Sequence, residues 1–213
     1  MLPREIKELY EMRKRDIERR LKEFKELFEN SNDDRIFAEL VFCLLTPQSK
    51  AKICWKAVEN LMEKELLLHG DYEQVLKELR GVRFKENKAR YIIEARKTFT
   101  RDGKIKIKDI VKSFSNPREA REWLVKNVKG MGYKEASHFL RNMGFGEDLA
   151  ILDRHILKNL RLLGVVEDMP KTLTKKRYIE IENKMGEFSK DIGIPLSHLD
   201  LLFWSKETGE IFK

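Results

Sequence analysis

Val128-Lys129-Gly130-Met131-Gly132-Tyr133-Lys134 is the stretch on which the fold turns. Two glycines one residue apart permit positive φ and close approach of another backbone, so they break a helix and reverse it sharply. Ahead of them, Asn116-Pro117-Arg118-Glu119 reads as a helix start. Asn116 can cap it, Pro117 suits the first turn, and Glu119 complements the positive end of the dipole. Ala120, Trp123, Leu124, Val125 and Val128 then recur at roughly helical spacing. From Tyr133 a helix resumes, with Ala136, Phe139, Leu140 and Met143 on its apolar face and Gly144 at its end. Residues 117–143 are therefore expected to form two helices joined by a hairpin. Such a hairpin, opening onto a helix N-terminus, can turn N–H groups toward an anion. The same residues would serve equally as a plain turn between packed helices, with Lys134 a solvated first-turn residue.

Downstream, Leu149-Ala150-Ile151-Leu152 leads into Asp153-Arg154-His155. The apolar run would bury its own backbone and deliver the Asp153 carboxylate from a packed wall. Asp153 is also placed to cap a helix over Arg154–Leu163, and the two roles are compatible.

At 213 residues the chain suffices for one large domain or two small, intimately packed ones. It carries 44 Lys+Arg against 36 Asp+Glu, a formal net charge of +8, which is consistent with a polyanionic partner. The charged fraction of 38%, rich in Lys and Glu, also fits a thermophile's surface of interspersed ion pairs, so most single lysines read as solvated helix faces. No apolar run reaches the length of about 18 residues that a membrane-spanning helix needs, and Met1-Leu2-Pro3-Arg4-Glu5 lacks a secretory core. A cytoplasmic protein is expected. Cys43 and Cys54 fall inside apolar helical patterns and read as buried thiols rather than a disulfide. His69, His138, His155 and His198 are scattered, so no metal site is expected.

Nearly every other segment reads as helix. Pro3 to about Glu29 is amphipathic, with Ile6, Leu9, Tyr10, Ile17, Leu21, Phe24 and Phe28 at three- and four-residue spacing. Ser31-Asn32-Asp33-Asp34 starts a second helix that ends before Thr46-Pro47-Gln48-Ser49, and Lys50 to about Leu67 continues as a third. Asp71–Leu79, Asn87–Phe99, Ile107–Phe114, Thr174–Ile192 and Pro195–Lys206 complete the set. The alternation Lys104-Ile105-Lys106-Ile107-Lys108 reads as too short and isolated to pair as a strand. The fold class is all-α. Two subdomains are expected within one unit over 1–213: one mainly from 30–127, the other mainly from 1–29 and 128–213.

Gly-Met-Gly-Tyr-Lys (130–134) followed by Leu-Asp-Arg-His (152–155) resembles the helix–hairpin–helix DNA glycosylase superfamily. The run from Gly132 through Glu135-Ala136-Ser137-His138 to Asn142 is similar to its type-two 8-oxoguanine DNA glycosylase/AP lyases of archaea and thermophilic bacteria, and the likeness extends over the whole chain. It departs where Lys129 stands in place of the proline common before the first glycine; this loses rigidity and adds a charge that can face phosphate. The resemblance implies a cleft between two helical subdomains, with duplex DNA containing 8-oxoguanine as partner and no cofactor. It implies Lys134 as the nucleophile of a Schiff-base mechanism supported by Asp153, with Lys129, Gly130, Gly132 and Arg154 on the DNA backbone.

The resemblance further implies that Gln48, on a loop tip created by Pro47, enters the duplex as a wedge, an amide being able both to donate and to accept. Otherwise it belongs to an ordinary inter-helix loop. Phe84 and Trp204 match the aromatics that sandwich the oxidised base, though either could be a core residue. Asp200 lies one helical turn before Trp204 in an apolar neighbourhood. It would meet either N–H groups of the base or a salt-bridge partner on another helix, because a buried charge needs a partner. Lys213 matches a terminal lysine whose carboxylate contacts the base; a frayed end is the alternative. His138 is expected to pack, and His155 either orients the site or packs. The rival assignments are an endonuclease III-like enzyme for oxidised pyrimidines, a DNA-binding hairpin module without catalysis, and a helical scaffold for protein partners. The first usually carries four clustered cysteines for an iron–sulfur centre, which this sequence lacks. A monomer is expected.

Overall fold

The computed structural model describes residues 3–170 and 172–211. Among these, twelve helices and one two-stranded hairpin are formed, and no helix is long and apolar enough to cross a membrane. The chain divides into two compact units, residues 1–27 with 140–213, and residues 28–139. The second break lies at 139/140, so residues 128–139, expected to group with the chain ends, group instead with the middle of the chain.

In the middle unit, α2 (Asp33–Leu45) is the axis. Asn32 caps it by accepting the Arg35 N–H at 3.0 Å. Every residue from Ile36 to Leu45 is buried, as befits a helix apolar on all sides. The single charge in that run, Glu39, is met by Arg35 at 2.8 Å, and the Arg35 guanidinium also lies over the Trp55 ring. Around α2 pack α3 (Ala51–Glu63), α6 (Lys85–Phe99) and α7 (Ile107–Lys112). The expected helix from Lys50 to Leu67 is two helices, because Glu65 adopts a left-handed φ of 58° between α3 and α4 (Leu66–His69). α5 (Tyr72–Glu78) follows, closed at its start by a reciprocal capping box between Asp71 and Gln74.

The expectation that Lys104-Ile105 stays unpaired is overturned. β1 (Thr100–Arg101) and β2 (Lys104–Ile105) form an antiparallel ribbon. Asp102 and Gly103 turn it with φ of 49° and 73°, the backbone that an Asp-Gly hairpin supplies at low cost. The unit closes with α8 (Pro117–Asn127) and the start of α9 (Tyr133–Asn142), with Asn116 capping α8 through the Glu119 N–H at 3.0 Å.

The terminal unit is built on most of α1 (Pro3–Asn30), with α10 (Arg154–Leu162), α11 (Lys175–Ile192) and α12 (Leu196–Thr208). Ile6, Tyr10, Ile17 and Phe24 of α1, Ile156 and Leu160 of α10, Ile181 and Met185 of α11, and Leu199, Leu202 and Phe203 of α12 are among its buried apolar residues.

Candidate active site and nucleic-acid interface

Seven of the candidate residues lie in the middle unit or its hairpin. Gly130 holds a φ of +84° and lies against Tyr91; a Cβ there would sit 2.2 Å from the ring's Cδ2. The glycine is therefore required twice over, by conformation and by contact. Gly132 does not adopt positive φ. Its lack of a side chain instead lets Glu135 reach back, since a Cβ would lie 2.9 Å from that residue's Oε2. Glu135 Oε2 accepts the Gly132 N–H at 3.1 Å, the return half of a capping box at the α9 N-terminus. The Met131 N–H donates to the Val128 carbonyl at 3.1 Å. Two hairpin N–H groups, expected from the sequence to face outward, thus have partners within the chain.

Lys134 follows on the first turn of α9. Its side chain is 23% exposed, and its Nζ lies 3.1 Å from Glu135 Oε1 and 3.4 Å from Thr46 Oγ1. The amine is tethered beside the Thr46–Ser49 loop and is not a solvated surface lysine. Lys129 is exposed and reaches Glu94 on α6 at 3.2 Å.

Gln48, at the tip of that loop, is exposed and has a φ of +55°. Phe84, just ahead of α6, has a φ of +56° and is 53% exposed, with the Arg83 guanidinium over its ring. A bulky side chain in the left-handed region is a conformational outlier, and here it presents an aromatic face to solvent. The core alternative for Phe84 is excluded. The two strained residues are linked, since Ser49 Oγ accepts the Arg83 N–H at 3.0 Å and the Lys88 Nζ at 3.1 Å. Cys54, whose Sγ donates to the Leu45 carbonyl at 3.1 Å, is a free buried thiol, and burial pushes it up to about 11. His138 is buried and packs edge-on against Phe42.

The remaining described candidates are in the terminal unit. Asp153 is the N-cap of α10, and its Oδ1 accepts the N–H groups of His155 at 2.8 Å and Ile156 at 2.9 Å. The extended segment Leu149–Leu152 that delivers it is buried and belongs to no helix or strand, so its polar groups need partners outside a ladder. The Leu149 N–H donates to the Gly146 carbonyl and the Ile151 carbonyl accepts the Asp153 N–H, and side chains must meet others. Two residues of α11 do this. Tyr178 Oη donates to the Ala150 carbonyl at 2.6 Å and accepts the Leu152 N–H at 3.3 Å, while Glu182 Oε2 accepts the Ala150 N–H at 2.9 Å. Neither was identified from sequence; the available signal was a tyrosine and a glutamate on the apolar stripe of α11.

Arg154 opens α10 and is exposed, its Nε donating to His155 Nε2 at 3.4 Å. With Lys158 and Arg161 it lines an open recess of about 760 Å³, a basic surface in which Glu207 is the acidic group. The Lys158 hydrogen bond holds the Glu207 carboxyl below the usual carboxylate range, against the opposing effect of burial. Trp204 is half-buried on α12. Asp200, one turn earlier, is buried, and Arg141 Nη1 lies 3.6 Å from its Oδ2 while stacking on Phe24. A partner for this carboxylate is therefore present inside the fold, as one of the two readings anticipated. Lys213 lies outside the described residues.

Comparison with known proteins gives this arrangement its context. A family model described as 8-oxoguanine DNA glycosylase matches residues 17–194. A protein of Fusobacterium nucleatum named 8-oxoguanine DNA glycosylase/AP lyase is 50% identical over 209 residues, spanning 98% of this chain and 96% of the relative. The crystal structure of the Thermotoga maritima 8-oxoguanine DNA glycosylase superposes with a TM-score of 0.88 at 36% identity, covering 99% of this chain and 98% of that one. That of the Methanocaldococcus jannaschii 8-oxoguanine glycosylase/lyase, solved with a 15mer DNA containing 8-oxoguanine, gives 0.87 at 39% identity and covers 98% and 99%. With the glycine hairpin, its tethered lysine and the capping aspartate all in place, the chain belongs to the 8-oxoguanine DNA glycosylase family.

Proposed function

We propose that this chain excises 8-oxoguanine from duplex DNA and then cuts the strand at the resulting abasic site, with Lys134 as the nucleophile. The observation that carries the reading is the Lys134 amine itself: mostly buried, held by Glu135 and Thr46, and set directly behind the glycine hairpin. The hairpin at Gly130–Gly132, Lys129 and Arg154 grip the phosphate backbone, with a phosphate oxygen replacing the Glu135 carboxylate at the Gly132 N–H. Gln48 enters the duplex as the damaged nucleotide is extruded, and Phe84 and Trp204 supply stacking faces for the base.

Lys134, as the free amine, attacks C1′ of the deoxyribose; the C1′–N9 bond breaks and the base leaves with its electron pair, taking a proton. Asp153 stabilises the positive charge that develops on the sugar. Opening of the sugar ring leaves an imine to Lys134, which makes the C2′ proton acidic. Its loss expels the 3′ phosphate by β-elimination, and water then frees the lysine.

Guanine presents a bare acceptor at N7 where 8-oxoguanine presents an N–H, so discrimination requires an acceptor from the protein. Mismatching that one contact disfavours guanine by about 1–3 kcal/mol. Asp200 and Lys213 are the groups proposed to recognise the base. The enzyme is further proposed to act as a monomer in the cytoplasm.

Borohydride trapping tests the assignment. Wild-type protein incubated with an 8-oxoguanine duplex and hydride should yield a covalent adduct, and undamaged or oxidised-pyrimidine duplexes should yield little. Lys134→Gln should yield none. An adduct that persists in that variant would move the nucleophile to another residue.

A further inference from the structure

Lys88 is the most buried lysine among the described residues that the proposed chemistry does not use. It sits on the first turn of α6, is 4% exposed, and makes three side-chain hydrogen bonds to one loop. Its Nζ donates to the carbonyls of Leu45 and Pro47, each at 2.7 Å, and to Ser49 Oγ at 3.1 Å. An ammonium has three N–H donors, and each has an acceptor here. The Leu45 carbonyl is one of those a helix leaves unpaired at its C-terminus, where a cation is favoured. The Pro47 carbonyl and the Ser49 hydroxyl bracket Gln48, whose left-handed backbone a free loop would not keep. Ser49 Oγ meanwhile receives the Arg83 N–H, the backbone donor next to Phe84.

We propose that Lys88 is a positioning residue of the reaction: its ammonium locks the Gln48 loop and, through Ser49, the Phe84 turn, so that wedge and stacking ring are preformed before DNA arrives. The proposal rests on the reading of Gln48 and Phe84 as DNA-contacting residues. The alternative role, filling the core, would leave an apolar side chain as good an occupant, yet three acceptors converge on the charge. Burial, and secondarily the charge of Lys134, push the Lys88 ammonium below the usual lysine range, against the opposing influence of Cys54 and Glu135.

The test uses the full chain carrying Lys88→Met, with Ser49→Ala as a milder variant should the first fail to fold. Two readouts are taken from each. Hydrogen exchange of the free protein should rise by about tenfold or more over residues 46–49 and 82–85 and stay unchanged in α11 and α12. Single-turnover excision from an 8-oxoguanine duplex should fall by about tenfold or more, while strand cleavage at a preformed abasic site in single-stranded DNA, which needs no extrusion, should stay within about twofold. Ser49→Ala should show the same contrast at smaller amplitude. Unchanged exchange at both loops, or equal losses on the two substrates, would overturn the proposal. Absence of duplex activity in the wild-type protein would instead refute the functional reading, and the exchange measurement would still decide the clamp.

Discussion

Asp153 carries two duties that one pair of substitutions can separate. As N-cap it accepts two backbone N–H groups through a single oxygen, Oδ1. As the proposed electrostatic partner of the reacting sugar it contributes its negative charge. Asp153→Asn keeps an Oδ1 acceptor in the same place, and Asn caps about as well as Asp. What it loses in stability is the interaction of a charge with the helix dipole, about 0.3–1 kcal/mol. Asp153→Ala removes the cap as well, a further loss of about 0.5–2 kcal/mol. The rate should behave differently. Removing a preorganised stabiliser of transition-state charge slows an enzyme by about 10²–10³-fold, and both variants remove it. Denaturant unfolding should thus rank wild type above Asn and Asn above Ala, whereas single-turnover excision should place Asn and Ala together, far below wild type, with DNA affinity by fluorescence anisotropy nearly unchanged in Asn. If Asn excises at the wild-type rate and only Ala is impaired, activity follows the cap, and Asp153 has no electrostatic role.

Gly130→Ala should destabilise the protein by roughly 2–5 kcal/mol, the sum of a left-handed backbone penalty and a clash with the Tyr91 ring, read as a fall in the denaturation midpoint. Tyr178→Phe leaves the Ala150 carbonyl and the Leu152 N–H without that hydroxyl and should cost about 1–3 kcal/mol in the same assay. His198 is held below its usual pKa by burial, with Tyr10 Oη 2.8 Å from its Nδ1. A histidine depressed in the folded state takes up more protons when unfolded, so its contribution is present above the unfolded value of 6.5 and is lost as pH falls through the lower folded value. His198→Asn, which can keep the contact to Tyr10, should flatten that part of the stability–pH curve below 6.5; an unaltered slope would assign the acid loss to other groups.

The features legible in the sequence were those with local causes. Asn32, Asn116 and Asp153 each announce a helix by the short-range bond that a cap makes, and each caps the helix expected. The hairpin glycines announce a sharp turn, and Gly130 needs its positive φ. The β1–β2 ribbon has a local cause too, since Thr100-Arg101-Asp102-Gly103-Lys104-Ile105 contains the Asp-Gly turn signal, which outweighs the shortness of its strands. The break at Glu65 has no glycine or proline to mark it. Other features depend on partners distant in sequence. Lys88 reads as one more lysine on an amphipathic helix until the Leu45 and Pro47 carbonyls, some forty residues earlier, are seen around it. Tyr178 and Glu182 read as ordinary helix residues until the buried backbone groups of Ala150 and Leu152 are seen to pair with them. Periodicity reports which face is buried; it does not report what a buried polar atom is for.

Backbone strain connects fold and site. Four non-glycine residues among those described hold positive φ: Gln48, Glu65, Phe84 and Asp102. Asp102 has a local reason in its hairpin, and Glu65 lies at the seam between two helices. Gln48 and Phe84 have no such reason, for a glycine at either position would relax the chain and lose nothing buried. What a glycine would lose is an exposed amide and an exposed aromatic ring, the two groups proposed to meet a duplex and an extruded base. Strain of this kind persists only where surrounding bonds over-determine it. Here those bonds are identifiable, running from Lys88 to the carbonyls on either side of Thr46 and from Ser49 to the turn before Phe84. The loops are therefore held in a conformation that costs folding energy, and on the proposed reading of Gln48 and Phe84 ordering them need not be repeated at each encounter with DNA.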